Sequence, residues 1–228
     1  PPRSRRADGG PAPASRAVRA VRALGWMLLF TVWVFHFTPK AQELPGARKY
    51  GWFFRYLTFN GLTMQVVQLS VCNLADLFPG APALTRWADD LSCMAFPIAT
   101  TVTVLFYSIH FLLGMAVEDP NVPRLAVVEL SVHIFNSVIM WTEMLLSRES
   151  RTFSRRAATG CTAFAAFYLT WVSVVKLVDG TYPYPVLEKL GYPYGAVGIK
   201  LGGIAVFRGM FEVGRLLTTG DRVREAKA

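Results

Sequence analysis

The chain has 228 residues, 53% of them hydrophobic and 13% aromatic, and carries a formal net charge of +9. Its apolar residues fall in long blocks, which excludes the short broken runs of a soluble α/β domain. Nucleic-acid binding is set aside too, because the basic residues collect at chain ends and loops and no basic patch is interleaved with stacking aromatics.

Residues 1–21 are rich in Pro, Ala and Arg. Such a stretch cannot bury a core and is expected to be a disordered basic segment. It resembles a transit-peptide remnant as much as a cytosolic anchor. Six blocks near the roughly 20 residues needed to cross hydrocarbon follow. They lie at about 22–38, 53–78, 91–115, 125–146, 157–178 and 194–217. The expected fold is therefore all-α: a polytopic six-transmembrane-helix bundle over residues 22–217, with a tail at 218–228. Pro79 and Gly80 close the second block, Pro120 and Pro123 separate the third from the fourth, and Pro97 lies inside the third.

The Lys and Arg residues weigh toward the side holding both chain ends and the loops near 79–90 and 147–156. By the positive-inside bias both termini are expected in the cytosol. Tyr182, Tyr184, Tyr192 and Tyr194 on the other side suit an interfacial belt. Gly198 and Gly202 have GxxxG spacing, read as a close helix contact. Cys72, Cys93 and Cys161 sit in apolar blocks without CxxC spacing and read as small buried hydrophobes. No HxxxH or HExxH pair supplies metal ligands and no GxSxG elbow occurs, so neither a metal nor a cofactor is expected.

Polar residues within the apolar blocks need partners. In FFRYLTFNGLTMQ (53–65), Thr58, Asn60, Thr63 and Gln65 all enter the second block. Thr58 falls about 7 Å below the outer end at 1.5 Å per residue, and His133 about 12 Å below the outer end of the fourth. Taken singly, a threonine near a helix start serves as well as a cap. His133 reads equally as a satisfied core histidine. Glu129 and Asn136 share its helix face and are candidates to orient the ring. Asn60 and Gln65 are polar support near Thr58.

Four segments carry a family resemblance. RYLTFNGLTMQ (55–65), AFPIATTVTVLFYSIH (95–110), His133 ten residues before Glu143-Met144, and YPYPVLEKLG (182–191) occur in order over residues 50–217. Together they resemble the androgen-induced and androgen-dependent integral membrane protein family. That resemblance implies a multipass hydrolase of fatty acid esters of hydroxy fatty acids, with Thr58 as nucleophile and His133 as base. It implies a lipid substrate entering from the bilayer, with membrane lipids as surroundings and no nucleic acid. Protein partners are not indicated. The endoplasmic reticulum or plasma membrane is the expected location, another organelle membrane the alternative. Leu130 stands where some relatives have a second histidine, and the rival expectation is a non-catalytic multipass protein: a pseudoenzyme, scaffold or complex subunit.

Overall fold

The structure, a computed structural model, describes residues 14–112 and 125–225. The expected linker prolines Pro120 and Pro123 and most of the basic N-terminal stretch lie outside the described residues. The described residues are helical and contain no strand.

Helix α1 (Arg16–Phe35) begins where the Ser15 hydroxyl accepts the Val18 N–H at 3.3 Å. That cap satisfies an otherwise orphaned donor, so the helix starts six residues before the expected boundary at 22. The chain then crosses one end of the bundle in short turns: α2 (Pro39–Gln42), then 3₁₀ turns at Pro45–Arg48 and Trp52–Arg55. Gly51, at φ +82°, makes the turn that an L side chain would resist. Helix α3 (Leu57–Leu77) returns through the bundle, and α4 (Pro82–Tyr107) follows with Pro82 in its first turn. Pro97 lies within α4, which continues through it. A π turn at Ser108–Leu112 extends α4.

The fourth long segment is compound. Helix α5 (Ala126–Leu130) runs into a π turn (Ser131–Phe135) and on into α6 (Asn136–Ser147). Helix α7 (Arg155–Asp179) is capped by the Ser154 hydroxyl, which accepts the Ala157 N–H at 3.0 Å, and Gly180 at φ +72° ends it. After α8 (Pro185–Lys189), a π turn at Tyr194–Ile199 leads into α9 (Lys200–Glu225). Helix α9 thus runs past the expected boundary at 217.

Among the described residues, three helices are long and apolar enough to cross a membrane: Arg16–Phe35, Pro82–Phe111 and Arg155–Asp179. Among the remaining long segments, α3 is diluted by Asn60, Gln65, Gln68 and Asn73, and the fourth is divided by its π turn. Around the bundle, Leu24, Met27, Val67, Leu145, Phe167 and Leu177 are exposed. An apolar perimeter of this kind suits hydrocarbon rather than water.

Packing is densest between α3 and α4, between α1 and α3, and between α4 and α9. Helix α9 rests chiefly on α4 and touches α7 only sparsely. Two indole N–H groups tie α1 to α3: Trp26 donates to the Ser70 hydroxyl at 2.8 Å and Trp33 to the Thr63 hydroxyl at 3.1 Å. Gly25 permits α1 to approach α6, since a Cβ there would lie 2.8 Å from the Ile139 side chain. The expected GxxxG contact is not made. Among the described residues, a Cβ on Gly198, in the π turn before α9, or on Gly202, in the first turn of α9, would meet no atom within 4 Å, so neither glycine sits at a helix contact.

At one end of the bundle lies a layer of buried charge. The Arg22 guanidinium donates to Glu143 (3.0 and 2.8 Å) and to Asp76 (3.0 and 2.9 Å). Arg151 donates to the same Glu143 oxygen and to Asp89 at 3.0 Å. Glu143 has no exposed surface, and Arg151 is 1% exposed. These residues come from the start of α1, the end of α3, the start of α4 and the end of α6 and its following loop, so one ionic layer joins four helix ends.

Candidate functional site

The opposite end of the bundle carries a cavity. It measures about 140 Å³ and is enclosed by α4, α7 and α9, with the first turn of α3 and the loop around Tyr184 closing one side. Its wall is mostly apolar, with Ile98, Phe106 and Phe164 as examples, and its polar members are Thr58, Thr101, Tyr168, Tyr184 and Lys200.

Thr58 therefore stands in a cavity wall at the start of α3. Its side chain is close enough to the Tyr184 phenol to interact with it. The Tyr184 oxygen accepts the Leu57 N–H at 2.7 Å and lies 3.4 Å from the Tyr168 hydroxyl, which donates to the Arg55 carbonyl at 3.2 Å. Burial pushes the Tyr184 phenol up to about 12, so it is neutral near pH 7 and keeps its proton for donation. Arg55, 1% exposed, pairs with Asp179 at 2.6 Å and anchors the turn before α3 to the end of α7.

His133 is buried in the π turn Ser131–Phe135. Its ring lies face to face with Phe106, centroids 3.6 Å apart and planes 16° apart. Phe106 is common to both neighbourhoods, lining the cavity and covering the imidazole; among the described residues the cavity wall includes Thr58 and not His133. A π turn disturbs the i→i−4 ladder and leaves carbonyls in need of other donors. The Thr103 hydroxyl supplies one, lying 2.7 Å from the His133 carbonyl and 2.6 Å from the Ser137 hydroxyl. Ser137 in turn donates to the Ala99 carbonyl at 2.9 Å.

The four supporting residues are used as follows. The Asn60 amide donates to the Phe54 (2.6 Å) and Tyr56 (2.8 Å) carbonyls, which holds the turn entering α3. Gln65, fully buried, donates to the Asn136 carbonyl at 2.9 Å and couples α3 to the start of α6. The Asn136 side-chain oxygen accepts the Ser137 N–H at 2.6 Å and lies 3.2 Å from the Thr103 hydroxyl. Glu129 is half-buried and close enough to Tyr107 to interact with its phenol. Asn60 and Gln65 thus have their amide donors engaged by backbone carbonyls rather than directed at the cavity. No cluster of His, Cys, Asp or Glu among the described residues has a metal-binding arrangement.

A family model described as FAR-17a/AIG1-like protein matches residues 18–215, which takes in every residue of this site. The chain belongs to this family. It is also similar to the human androgen-induced gene 1 protein: 26% identical over 173 residues, covering 67% of this chain and 71% of that protein. No solved structure matches it. As a FAR-17a/AIG1-like chain with apolar helices of crossing length, it is a helical membrane protein.

Three structural features of this FAR-17a/AIG1-like chain are not evident in the sequence. The interfacial belt expected of the loop tyrosines fits Tyr192 (84% exposed) and Tyr194 (74% exposed); Tyr184 instead turns inward into the cavity wall beside Thr58. The Tyr-Pro-Tyr-Pro string at 182–185 was its only signal. Thr103 supports the His133 backbone, and nothing in its α4 context distinguishes it from Thr100 or Thr101. The ionic layer was hidden because its members lie far apart in sequence near block ends, where solvated side chains are the ordinary reading.

Proposed function

We propose that the protein is an integral membrane lipid hydrolase that cleaves fatty acid esters of hydroxy fatty acids, with Thr58 as nucleophile and His133 as general base. The observation that carries this reading is Thr58 itself, a hydroxyl at the head of α3 in the wall of an apolar cavity, beside a neutral tyrosine. In the mechanism, His133 takes the Thr58 proton and the alkoxide attacks the ester carbonyl. The tetrahedral intermediate collapses to an acyl-threonine as His133 returns the proton to the departing hydroxy fatty acid. Water deprotonated by His133 then attacks the acyl-threonine, releasing the fatty acid and restoring the Thr58 hydroxyl. Tyr184, with a proton to donate beside Thr58, is the candidate for stabilising the oxyanion.

Proton transfer needs imidazole and hydroxyl within about 3 Å. Phe106 touches both neighbourhoods, so a turn of its side chain is the motion this mechanism calls for. In the membrane the reading has six spans, both termini cytosolic, and a cavity near the non-cytosolic face, in the endoplasmic reticulum or plasma membrane. One observation favours the non-catalytic alternative, namely the Phe106 ring lying across the imidazole.

Purified protein assayed on such an ester separates the two. Thr58→Ala and His133→Ala are each expected to lower turnover by roughly 100-fold or more, and a fluorophosphonate probe is expected to label the native protein and not Thr58→Ala. Near-native turnover in both variants would refute the assignment.

A further inference from the structure

Lys200 is out of keeping with the rest of the cavity wall. Among the described residues it is the one charged side chain lining a space that is otherwise apolar or hydroxyl-bearing. Its ammonium, with three N–H donors to place, donates to the Ser173 hydroxyl at 3.2 Å and lies 5.4 Å from the centre of the Tyr182 ring. Neither contact balances its charge. Lys176 makes the contrast. It lies over the same ring, at 5.1 Å, yet it also pairs with Glu188 at 2.5 Å and donates to the Gly180 carbonyl at 2.7 Å. Two lysines thus flank one tyrosine, and only the one in the cavity wall has no carboxylate. A half-buried cation beside apolar surface is costly unless an anion meets it.

We infer that Lys200 recognises the carboxylate of a fatty-acyl lipid seated in this cavity. The size of the space points the same way. A cavity of about 140 Å³ is close to one that holds a single benzene-sized molecule. It therefore takes the carboxylate end of the lipid with a few carbons beside it, and the remainder lies outside it. The rest of the chain leaves where α7 and α9 barely touch. One monovalent cation, with two donors left after Ser173, matches one monovalent carboxylate. As a statement about the substrate, this inference rests on the hydrolase reading: it makes Lys200 the residue that reads the acid end while Thr58 meets the ester. As a statement about binding it stands on the cavity.

The test is equilibrium binding of hexadecanoate, hexadecan-1-ol and hexadecyl phosphate to the purified full chain in neutral-lipid nanodiscs at pH 8. None of the three contains a carboxylic ester, so the result is independent of turnover, and failure of the hydrolase reading is distinguishable from failure of this one. The native protein is expected to bind hexadecanoate roughly tenfold or more tightly than hexadecan-1-ol. Lys200→Met is expected to abolish that preference and Lys200→Arg to keep it. Equal binding of acid and alcohol by the native protein would overturn the inference, and that comparison needs no variant to fold. An unchanged preference in Lys200→Met would also overturn it. Tighter binding of hexadecyl phosphate than hexadecanoate would overturn the carboxylate assignment.

Discussion

Glu143→Gln is expected to destabilise the bundle by about 3 kcal/mol. The carboxylate it removes has no exposed surface and accepts from two guanidiniums, those of Arg22 and Arg151. Losing one partner of a buried pair costs about 3–5 kcal/mol, because a desolvated charge is left behind. Here the lower end applies, since Arg22 keeps Asp76 and Arg151 keeps Asp89. For a chain of this size about 1 kcal/mol moves the melting temperature by roughly 2–4 °C, so the expected fall is roughly 6–12 °C. Thermal unfolding of the detergent-solubilised protein, followed by tryptophan fluorescence, measures it. Arg156→Gln is the control: Arg156 is largely exposed and its pairing with Asp90, at 3.5 Å, is worth under about 1 kcal/mol. A melting temperature for Glu143→Gln within 2 °C of native, or an equal fall in Arg156→Gln, would refute the idea that the ionic layer holds the four helix ends together.

Tyr184→Phe deletes the hydroxyl that accepts the Leu57 N–H beside Thr58, and is expected to lower kcat on the ester by roughly 10- to 100-fold while KM changes little; steady-state kinetics decides it. Thr103→Val removes the donor to the His133 carbonyl at nearly constant shape and is expected to cost about 1–2 kcal/mol, read as a lowered melting temperature. The Glu188 carboxyl, held below its ordinary 4.5 chiefly by its hydrogen bond to Lys176, contributes stability that is present above 4.5 and lost as pH falls through the lowered value. The pair is solvent-exposed, so the effect is small, under about 1 kcal/mol. Melting curves between pH 6 and 3 should show Glu188→Gln losing less stability with acid than the native chain.

Much of the helix order was legible because long apolar runs have few alternatives once they reach membrane length. Thr58 and His133 stood out for a related reason, since polar groups in such runs are conspicuous. The structure gives the polar residues of 53–65 their surroundings: Thr63 takes the Trp33 indole, Gln65 the Asn136 carbonyl, Asn60 two carbonyls of its own turn, and Thr58 lies beside the Tyr184 phenol. None of those pairings could be read from the string, because each depends on which helices become neighbours. The start of α1 escaped notice because a single serine cap at Ser15 outweighed the low hydropathy of the residues after it. The π turn at 131–135 escaped because no glycine or proline marks it, and the GxxxG reading failed because small residues permit a contact without creating one.

The sparse contact between α7 and α9 has a practical side. A seam packed that sparsely is where a surrounding amphiphile would enter on the proposed reading, so the solubilising detergent is expected to compete with any occupant. Inhibition should then track the detergent's chain length and head-group charge, and a preparation that looks inactive in one micelle can recover in another.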